Sequence, residues 1–320
     1  MQVSSGLDLG FDDAQQAIAD ALAAFCADRC SEEVLKAQAN RFPAELWGEL
    51  AQLGVLALVT PEGDGAAVEL VAALESLGRA VFPGPLAATF FATQLLPEAE
   101  RAAVASGDAV VSVGVPPLMP WAPAASLFVV VENGSAALAT PRGAIEAVET
   151  LGGEPWGRVE LERSQELGSA EQAHVVYEIA VAAYTAAAGS RLVEDTAEHA
   201  RTRKQFGHAI GEFQAVAHPL ADRHMELVAA ATLARAAAFH FDAHHPAQAR
   251  RYAAAARVSA CRAGVEAAHT CHQLFGAQGI TLEGPVFHVS RRLRQLASQP
   301  PGEQASRVAL LAGLGIEERA

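Results

Sequence analysis

The sequence has few cysteines, few basic residues and no long apolar run, and each shortage argues against a class of protein. Four cysteines in 320 residues are too few for a disulfide-rich secreted domain. Lys and Arg number 23 against 37 Asp and Glu, which argues against nucleic acid or an anionic membrane as a partner. No apolar stretch approaches the roughly 20 residues of a membrane span. Met1 to Gly10 lacks the pattern of a signal peptide, so we expect a cytoplasmic protein.

The cysteines and histidines offer no convincing metal site. Cys26 and Cys30 lie one helical turn apart, but no second pair completes a zinc site, so we interpret all four cysteines as reduced structural thiols. The histidine pairs at 240 and 244, and at 269 and 272, have helical spacing without a third ligand nearby in sequence. The sequence therefore predicts no bound metal ion.

The composition and the distribution of charge indicate what is present instead. A hydrophobic fraction of 51% with 19% charged residues is typical of a compact globular protein. Residues 1–170 carry 8 basic and 23 acidic side chains, whereas residues 171–320 carry 15 basic and 14 acidic ones. A phosphate-bearing ligand would therefore bind to the second half of the chain.

Periodicity divides the chain into three predicted domains. Apolar residues recur every three or four positions over most of 1–106, which predicts a helical domain. Within it, Pro43 begins a helix that ends before Gly54, and another helix runs from Ala67 to Arg79. Short β-rich runs broken by Pro and Gly predict a small β domain over 107–168. Its predicted strands are Ala109–Val115, Leu127–Glu132, Ala136–Thr140 and Arg158–Leu161.

The third predicted domain, 169–320, is rich in alanine and has long segments of 3.6-residue period. The predicted helices lie near 171–204, 212–244, 247–275, 285–296 and 302–314. These lengths are typical of an antiparallel four-helix bundle. The fold is thus predicted to be mainly α with a small β domain.

Two stretches of the predicted bundle carry a distinctive pattern. The first reads Arg203-Lys-Gln-Phe-Gly207 and continues to Phe213-Gln214, and the second reads Gln273-Leu-Phe-Gly-Ala-Gln-Gly279. A guanidinium at the end of a long helix can bind a diphosphate through two parallel hydrogen bonds. Small residues after a helix let backbone N–H groups approach such a ligand. Taken alone, Arg203 and the following lysine could also be a basic helix terminus favoured by the helix dipole.

Together these stretches resemble the flavin-contacting stretches of the acyl-CoA dehydrogenase family. Its members use FAD to remove a hydrogen from each of the α and β carbons of an acyl thioester. The resemblance implies the family's fold, with an N-terminal helical domain, a reduced middle β domain and a C-terminal bundle. Ala277 replaces the second glycine of the family's turn. The resemblance assigns FAD contacts to Arg203, Gln205, Phe206, Gln214, Gln273, Gly276, Ala277 and Gly279.

The family's catalytic base, commonly a Glu just before a Gly, is missing from its expected place. Counting forward from the second stretch gives Pro300 at that position, within Ser-Gln-Pro-Pro-Gly. Some members carry the Glu on an earlier helix, where straight register gives Tyr177. Glu178 is one residue away, which turns a helical side chain by about 100°. Its apolar neighbours would raise its pKa, so Glu178 is the alternative base, ahead of Glu303; its other possible roles are a partner to a nearby arginine or a residue at the rim of the site.

Three functions remain open at this point. The chain resembles the shortened subunit of actinobacterial α2β2 acyl-CoA dehydrogenases, some of which act on CoA thioesters of sterol side chains. That resemblance implies a subunit that completes the FAD site for a longer, base-bearing partner, with acyl-CoA as substrate and an electron-transfer flavoprotein as acceptor. The second possibility is a self-sufficient homotetramer that uses Glu178. The third is a helical scaffold without cofactor or catalysis.

Overall fold

The first part of the protein is helical. The computed structural model describes residues 9–37, 40–61, 65–300 and 302–316, but not the side chains of residues 32, 35, 302, 303 and 305. Pro43 precedes α3, and Gly54 follows it in the left-handed conformation with a φ of 78°, as the sequence predicts. Helices α1 to α6 are Asp13–Arg29, Glu32–Ala37, Ala44–Gln52, Ala67–Arg79, Leu86–Thr93 and Glu98–Ala105.

The middle part is a five-stranded sheet with the order β1-β3-β4-β5-β2. Strands β1 and β3 are parallel, and the other neighbouring pairs are antiparallel. Asn133 and Gly134, with φ values of 49° and 78°, connect β3 to β4 in a tight hairpin turn. In chain order the strands are Val111–Gly114, Leu118–Pro120, Leu127–Glu132, Ser135–Val148 and Trp156–Ser169.

The predicted extents of β4 and β5 are wrong, and the sequence does not predict β2. Each of the two long strands has 14 residues, far more than the short runs predicted. Beyond Thr140 in β4 and Glu160 in β5, most residues are exposed, and ion pairs such as Arg142 with Glu162 cross between the strands. Because these segments bury little, they lack the alternation of apolar and polar residues that indicates a strand.

The last part is a helical bundle whose bounds agree with the predicted segments within two residues. A hairpin of β6 (Lys204–Gln205) and β7 (His208–Ala209) connects α7 to α8. Short connections and mutual packing make α7, α8 and α9 antiparallel neighbours, so α7 and α9 end at the same end of the bundle. No described helix is both long and apolar enough to cross a bilayer. Helices α7 to α11 are Glu171–Thr202, Gln214–Asp242, Pro246–Phe275, Pro285–Ser298 and Gly302–Gly313.

Helix α7 forms the centre of the core. Every residue from Val175 to Gly189 is buried, including the carboxyl group of Glu178. A helix buried on all sides must be close to its neighbours, and small residues permit this. Gly78 of α4 packs directly on the backbone of Tyr184, with no room for a Cβ atom. The α4–α7 crossing thus depends on a glycine.

Replacing Gly78 with alanine should therefore destabilise the protein. The added methyl group would overlap the carbonyl oxygen of Tyr184, and overpacking of this kind costs about 1–3 kcal/mol. Gly48 in α3 is the matched control, because a Cβ there meets nothing within 4 Å. Gly48→Ala should raise the free energy of unfolding by roughly 0.5–1 kcal/mol. Urea unfolding measures both changes, and equal effects of the two variants would contradict this account of the crossing.

Candidate functional site

The first stretch lies on the surface at the end of α7. Arg203 is the residue at which the helix becomes extended, and its N–H donates to the carbonyl oxygen of His199 at 2.8 Å. Its own carbonyl oxygen accepts from the N–H of Ile210 at 2.8 Å, which folds the hairpin back on the helix. The turn consists of Phe206 and Gly207, with φ values of 52° and 81°. The backbone is thus fixed while the side chains of Arg203 and Phe206 are exposed.

The start of α8 continues this surface. Gln214 is the first residue of the helix, and its side chain is exposed. Phe213 lies edge-on to Phe206, with ring centroids 6.3 Å apart. Phe206 is 92% exposed, an unusual position for a large apolar side chain. Gln205 is exposed beside it, so the residues that the resemblance assigns to FAD in this stretch are all accessible.

The second stretch is the turn after α9. The helix ends at Phe275, and Gly276 has a φ of 59°, which favours glycine. Gly279 is buried, and a Cβ atom there would lie 3.1 Å from the carbonyl oxygen of His272. The side chain of Gln273 and the residues Gly276 and Ala277 are exposed. The turn is therefore compact on its inner side and open on its outer side.

An aromatic contact connects the two stretches. The ring of His199, one turn before Arg203, stacks on Phe275 with centroids 4.2 Å apart and planes 20° apart. Burial, followed by the positive charge of Arg203, lowers the pKa of His199. The ring is therefore neutral at pH 7 and packs as an aromatic surface. The two stretches therefore lie at the same end of the bundle and are connected by this contact.

A cavity of about 530 Å³ lies beside Gln273 and Gly276. Its wall includes three residues that the sequence analysis did not assign, His269, His272 and Arg294. Arg294 is exposed on α10, and the Nδ1 atom of His272 is buried with no hydrogen-bond partner among the described residues. No motif identifies Arg294, because only the packing of α10 on α9 brings it here. Cationic and polar groups around small residues suit a diphosphate.

Of the two positions that the resemblance assigns to the base, Tyr177 is buried and Pro300 is exposed, and Gln299 connects them. The hydroxyl of Tyr177 donates to Oε1 of Gln299 at 3.1 Å, and Pro300 follows directly. The amide of Gln299 donates to Oε2 of Glu154 at 2.7 Å, and Glu154 forms a buried ion pair with Arg292. Burial is the main cause that raises the pKa of Tyr177, so its hydroxyl stays protonated. This network contains one carboxylate, and that carboxylate is paired with a guanidinium.

A second buried guanidinium fixes the end of this network. Arg257 of α9 is fully buried, and its Nη2 donates to the carbonyl oxygens of Leu296 and Gln299 at 2.9 and 3.1 Å. It lies 5.8 Å from the ring centroid of Tyr177. These hydrogen bonds satisfy two carbonyls at the end of α10, which its own helix leaves without donors. The Gln299 backbone is therefore held where its side chain reaches Tyr177.

Glu178, the neighbour of Tyr177, forms its hydrogen bond with a different helix. Its Oε1 accepts from the hydroxyl of Ser306 in α11 at 3.0 Å. Burial raises the pKa of Glu178, while the hydrogen bond from Ser306 and the charge of Arg257 oppose that shift. The one-residue offset from Tyr177 thus brings the carboxyl to a different neighbouring helix. The side chain of Glu303 lies outside the described residues.

All four cysteines are free in the structure, and Cys26, Cys261 and Cys271 are buried. His240 lies near His245 rather than His244, with their Nδ1 atoms 3.4 Å apart. Among the residues that the structure describes, no group of three or more His, Cys, Asp or Glu side chains could hold a metal ion.

Comparison with known proteins agrees with the resemblance. The model of the acyl-CoA dehydrogenase C-terminal domain matches residues 176–303, and that of the N-terminal domain matches 12–102. Acyl-CoA dehydrogenase IpdE2 of Mycobacterium tuberculosis is 33% identical over 261 residues, covering 76% of this chain and 78% of that protein.

Solved structures are similar in fold. The ChsE4-ChsE5 complex from Mycobacterium tuberculosis matches with a TM-score of 0.83 and 24% identity, covering 98% of this chain and 100% of that chain. PigA with FAD and proline matches with a TM-score of 0.84 and 17% identity, covering 97% and 100%. The matched domains, together with the IpdE2 relative, establish that this chain belongs to the acyl-CoA dehydrogenase family of oxidoreductases acting on CH–CH bonds.

Proposed function

We propose that this chain is the FAD-completing subunit of a heteromeric acyl-CoA dehydrogenase, and that a longer partner subunit supplies the catalytic base. One observation carries the proposal. All the residues assigned to FAD except the buried Gly279 lie open at the end of the bundle, whereas Tyr177 and Pro300 occupy the two base positions. The ChsE4-ChsE5 complex, a family structure solved as two different chains, supports the heteromeric part.

The open end of the bundle would bind the diphosphate-bearing part of FAD. Arg203 and Arg294 supply guanidinium groups, and Gln214 and Gln273 supply amides. Exposed backbone at Gly276 and Ala277 can approach a phosphate closely. Gln205 and Phe206, which are exposed beside Arg203, would contact the FAD as well. FAD, when bound, accepts the hydride from the β carbon, and these residues hold and orient it.

The interior network explains why the base has to come from elsewhere. Removing the α proton of an acyl thioester requires a base within hydrogen-bond reach. At the two base positions this chain has a protonated phenol, Tyr177, and a proline, with a neutral amide, Gln299, between them. Nearby, the carboxylate of Glu154 is neutralised by Arg292. The partner would therefore remove the proton, and an electron-transfer flavoprotein would reoxidise the flavin.

The substrate class follows from the same proposal. It would be an acyl-CoA thioester, with a sterol side chain as the acyl group if the resemblance to shortened actinobacterial subunits extends to the substrate. The alternative function is a homo-oligomeric dehydrogenase with Glu178 as base. Its support is the raised pKa of that buried carboxyl, and the contact with Ser306 of α11 counts against it.

Co-expression tests the proposed function directly. The chain alone should purify without flavin colour and without activity. Co-expressed with a longer dehydrogenase homologue that has an intact Glu base, it should give a yellow complex that reduces an artificial acceptor with acyl-CoA. A chain that purifies alone with stoichiometric FAD and is active would contradict the proposal. A colourless complex would instead favour the helical scaffold.

Arg203→Gln should weaken FAD binding by the complex. A charge-assisted hydrogen bond contributes about 1.5–3 kcal/mol, so the dissociation constant of FAD should rise roughly 10- to 100-fold. Arg201→Gln is the matched control, since Arg201 is exposed two residues earlier and pairs with Glu198. Flavin fluorescence during dilution measures FAD release. If both variants release FAD equally, Arg203 has no specific contact with the cofactor.

Glu178→Gln should leave the activity of the complex intact and stabilise the protein at neutral pH. Because burial raises the folded-state pKa of Glu178 above its unfolded value, its contribution to stability is lost as pH rises through the folded pKa. Gln cannot ionise and keeps an oxygen for the Ser306 hydroxyl. Between about pH 5 and pH 7.5, the variant should therefore lose less unfolding free energy than the wild type.

Urea unfolding at both pH values, with turnover measured in parallel, checks this expectation. Glu198→Gln is the control, because Glu198 is an exposed carboxylate on the same helix. Loss of turnover in Glu178→Gln with FAD retained would identify Glu178 as the base and overturn the delegated-base proposal.

A further inference from the structure

A second cavity lies where the three parts of the chain meet. It has a volume of about 210 Å³ and is lined by the end of α4, the β4–β5 loop, α7 and the first half of α10. It shares no lining residue with the cavity beside Gln273. Its volume is below the roughly 300 Å³ at which pockets for drug-sized ligands begin, so it suits a small group.

The cavity wall carries an excess of positive charge. Four arginines line it, and three of them have a carboxylate partner. Arg191 pairs with Asp195 at 2.7 Å, and Arg79 and Arg292 pair with Glu194 and Glu154. The fourth, Arg291, has no carboxylate within ion-pair distance among the described residues. Its guanidinium carbon lies 5.6 Å from the ring centroid of Phe287.

Burial makes this unpaired charge costly. Arg291 is partly buried, and burial lowers its pKa. Arg292 is 8% exposed, and burial lowers its pKa to about 10. The Nη2 atom of Arg292 donates to the carbonyl oxygen of Gly84 at 3.1 Å, but its buried Nε–H has no partner among the described residues. A buried donor without an acceptor is energetically unfavourable. An anion in the cavity would accept this hydrogen bond and balance the charge of Arg291.

The backbone around the cavity leaves room for the guanidinium of Arg291. Gly153 has a φ of 78°, and a Cβ atom there would collide with the guanidinium of Arg291. Glycine therefore allows Arg291 to lie against the β4–β5 loop. Pro285, His288 and Val289 of the first turns of α10 also line the cavity, and the preceding Gly284 provides no side-chain cap. The positive end of the dipole of this 14-residue helix therefore adjoins the cavity and favours an anion in it.

We propose that this cavity binds a phosphate group, held by the guanidinium of Arg291 and the Nε–H of Arg292 in the middle of α10. The group comes either from free phosphate or from a phosphomonoester such as the 3′-phosphate of coenzyme A. Because the planar guanidinium of Arg291 can donate two parallel hydrogen bonds, it selects a tetrahedral oxyanion over chloride. The binding connects the N-terminal helices, the sheet and the bundle.

Thermal unfolding of the whole chain in potassium phosphate, against potassium chloride of equal ionic strength, tests the site. Phosphate should raise the Tm of the wild type by roughly 2–4 °C, and Arg291→Gln should abolish that rise. Arg262→Gln, an exposed arginine on α9, should retain it. Coenzyme A carries a 3′-phosphate that dephospho-coenzyme A lacks. A larger rise in Tm with coenzyme A would indicate a phosphomonoester site, whereas equal rises would indicate a site for free phosphate.

If Arg291→Gln fails to fold, calorimetric titration of the protein with phosphate tests the site instead. Arg291→Lys keeps the charge but loses the paired hydrogen bonds, and calorimetry should record at least a several-fold weaker phosphate affinity. No rise in Tm with phosphate, or equal affinities of wild type and Arg291→Lys, would overturn the proposal. Neither measurement involves flavin, so failure here leaves the proposed function untouched.

Discussion

The complete burial of α7 is the constraint on which the rest of the structure depends. From Val175 to Gly189 the helix contacts protein on every side, so its rotation about its own axis is fixed. That rotation directs Tyr177 towards α10 and Glu178 towards α11. Its length then determines where the helix leaves the core, which is where Arg203 reaches solvent. One helix thus defines both the interior network and the exposed end.

The interior network and the exposed end differ in whether their charged side chains are paired. In the interior, the guanidinium groups of Arg257 and Arg292 donate to carbonyl oxygens, and Arg292 also pairs with Glu154. Such groups are stable in a dry core only when they are paired, and pairing makes the carboxylate a poor base. At the exposed end, Arg203 and Arg294 remain accessible to an anion. The chain therefore has cations available for a ligand and no unpaired carboxylate at the base positions.

The sequence predicted the helices well and the strands less well, for a physical reason. Helices such as α4 and α9 bury a regular stripe, so their periodicity gives the bounds within a residue. The outer parts of β4 and β5 are solvated, and their stability comes from pairing with each other, which single-sequence periodicity does not report. The turn at Phe206 and Gly207 lies between the predicted helices 171–204 and 212–244, so the helix periodicity also located this connection.

The non-local features of the site could not be predicted. Nothing in the sequence indicates that Tyr177 meets Gln299 across 122 positions, or that Arg294 lies beside Gln273. Both contacts depend on how α10 packs against α7 and α9. The sequence did predict that Glu178 would lie on another face than Tyr177, because the rotation per residue of a helix is fixed.

The central claim is that this chain contacts the cofactor while another chain provides the base. Photolabelling of the heteromeric complex with an FAD analogue that carries an azide on its adenine tests it most directly. Mass spectrometry of the digested complex should find the label on peptides of this chain from 203–214 or 273–280. Label found on the partner alone would contradict the account.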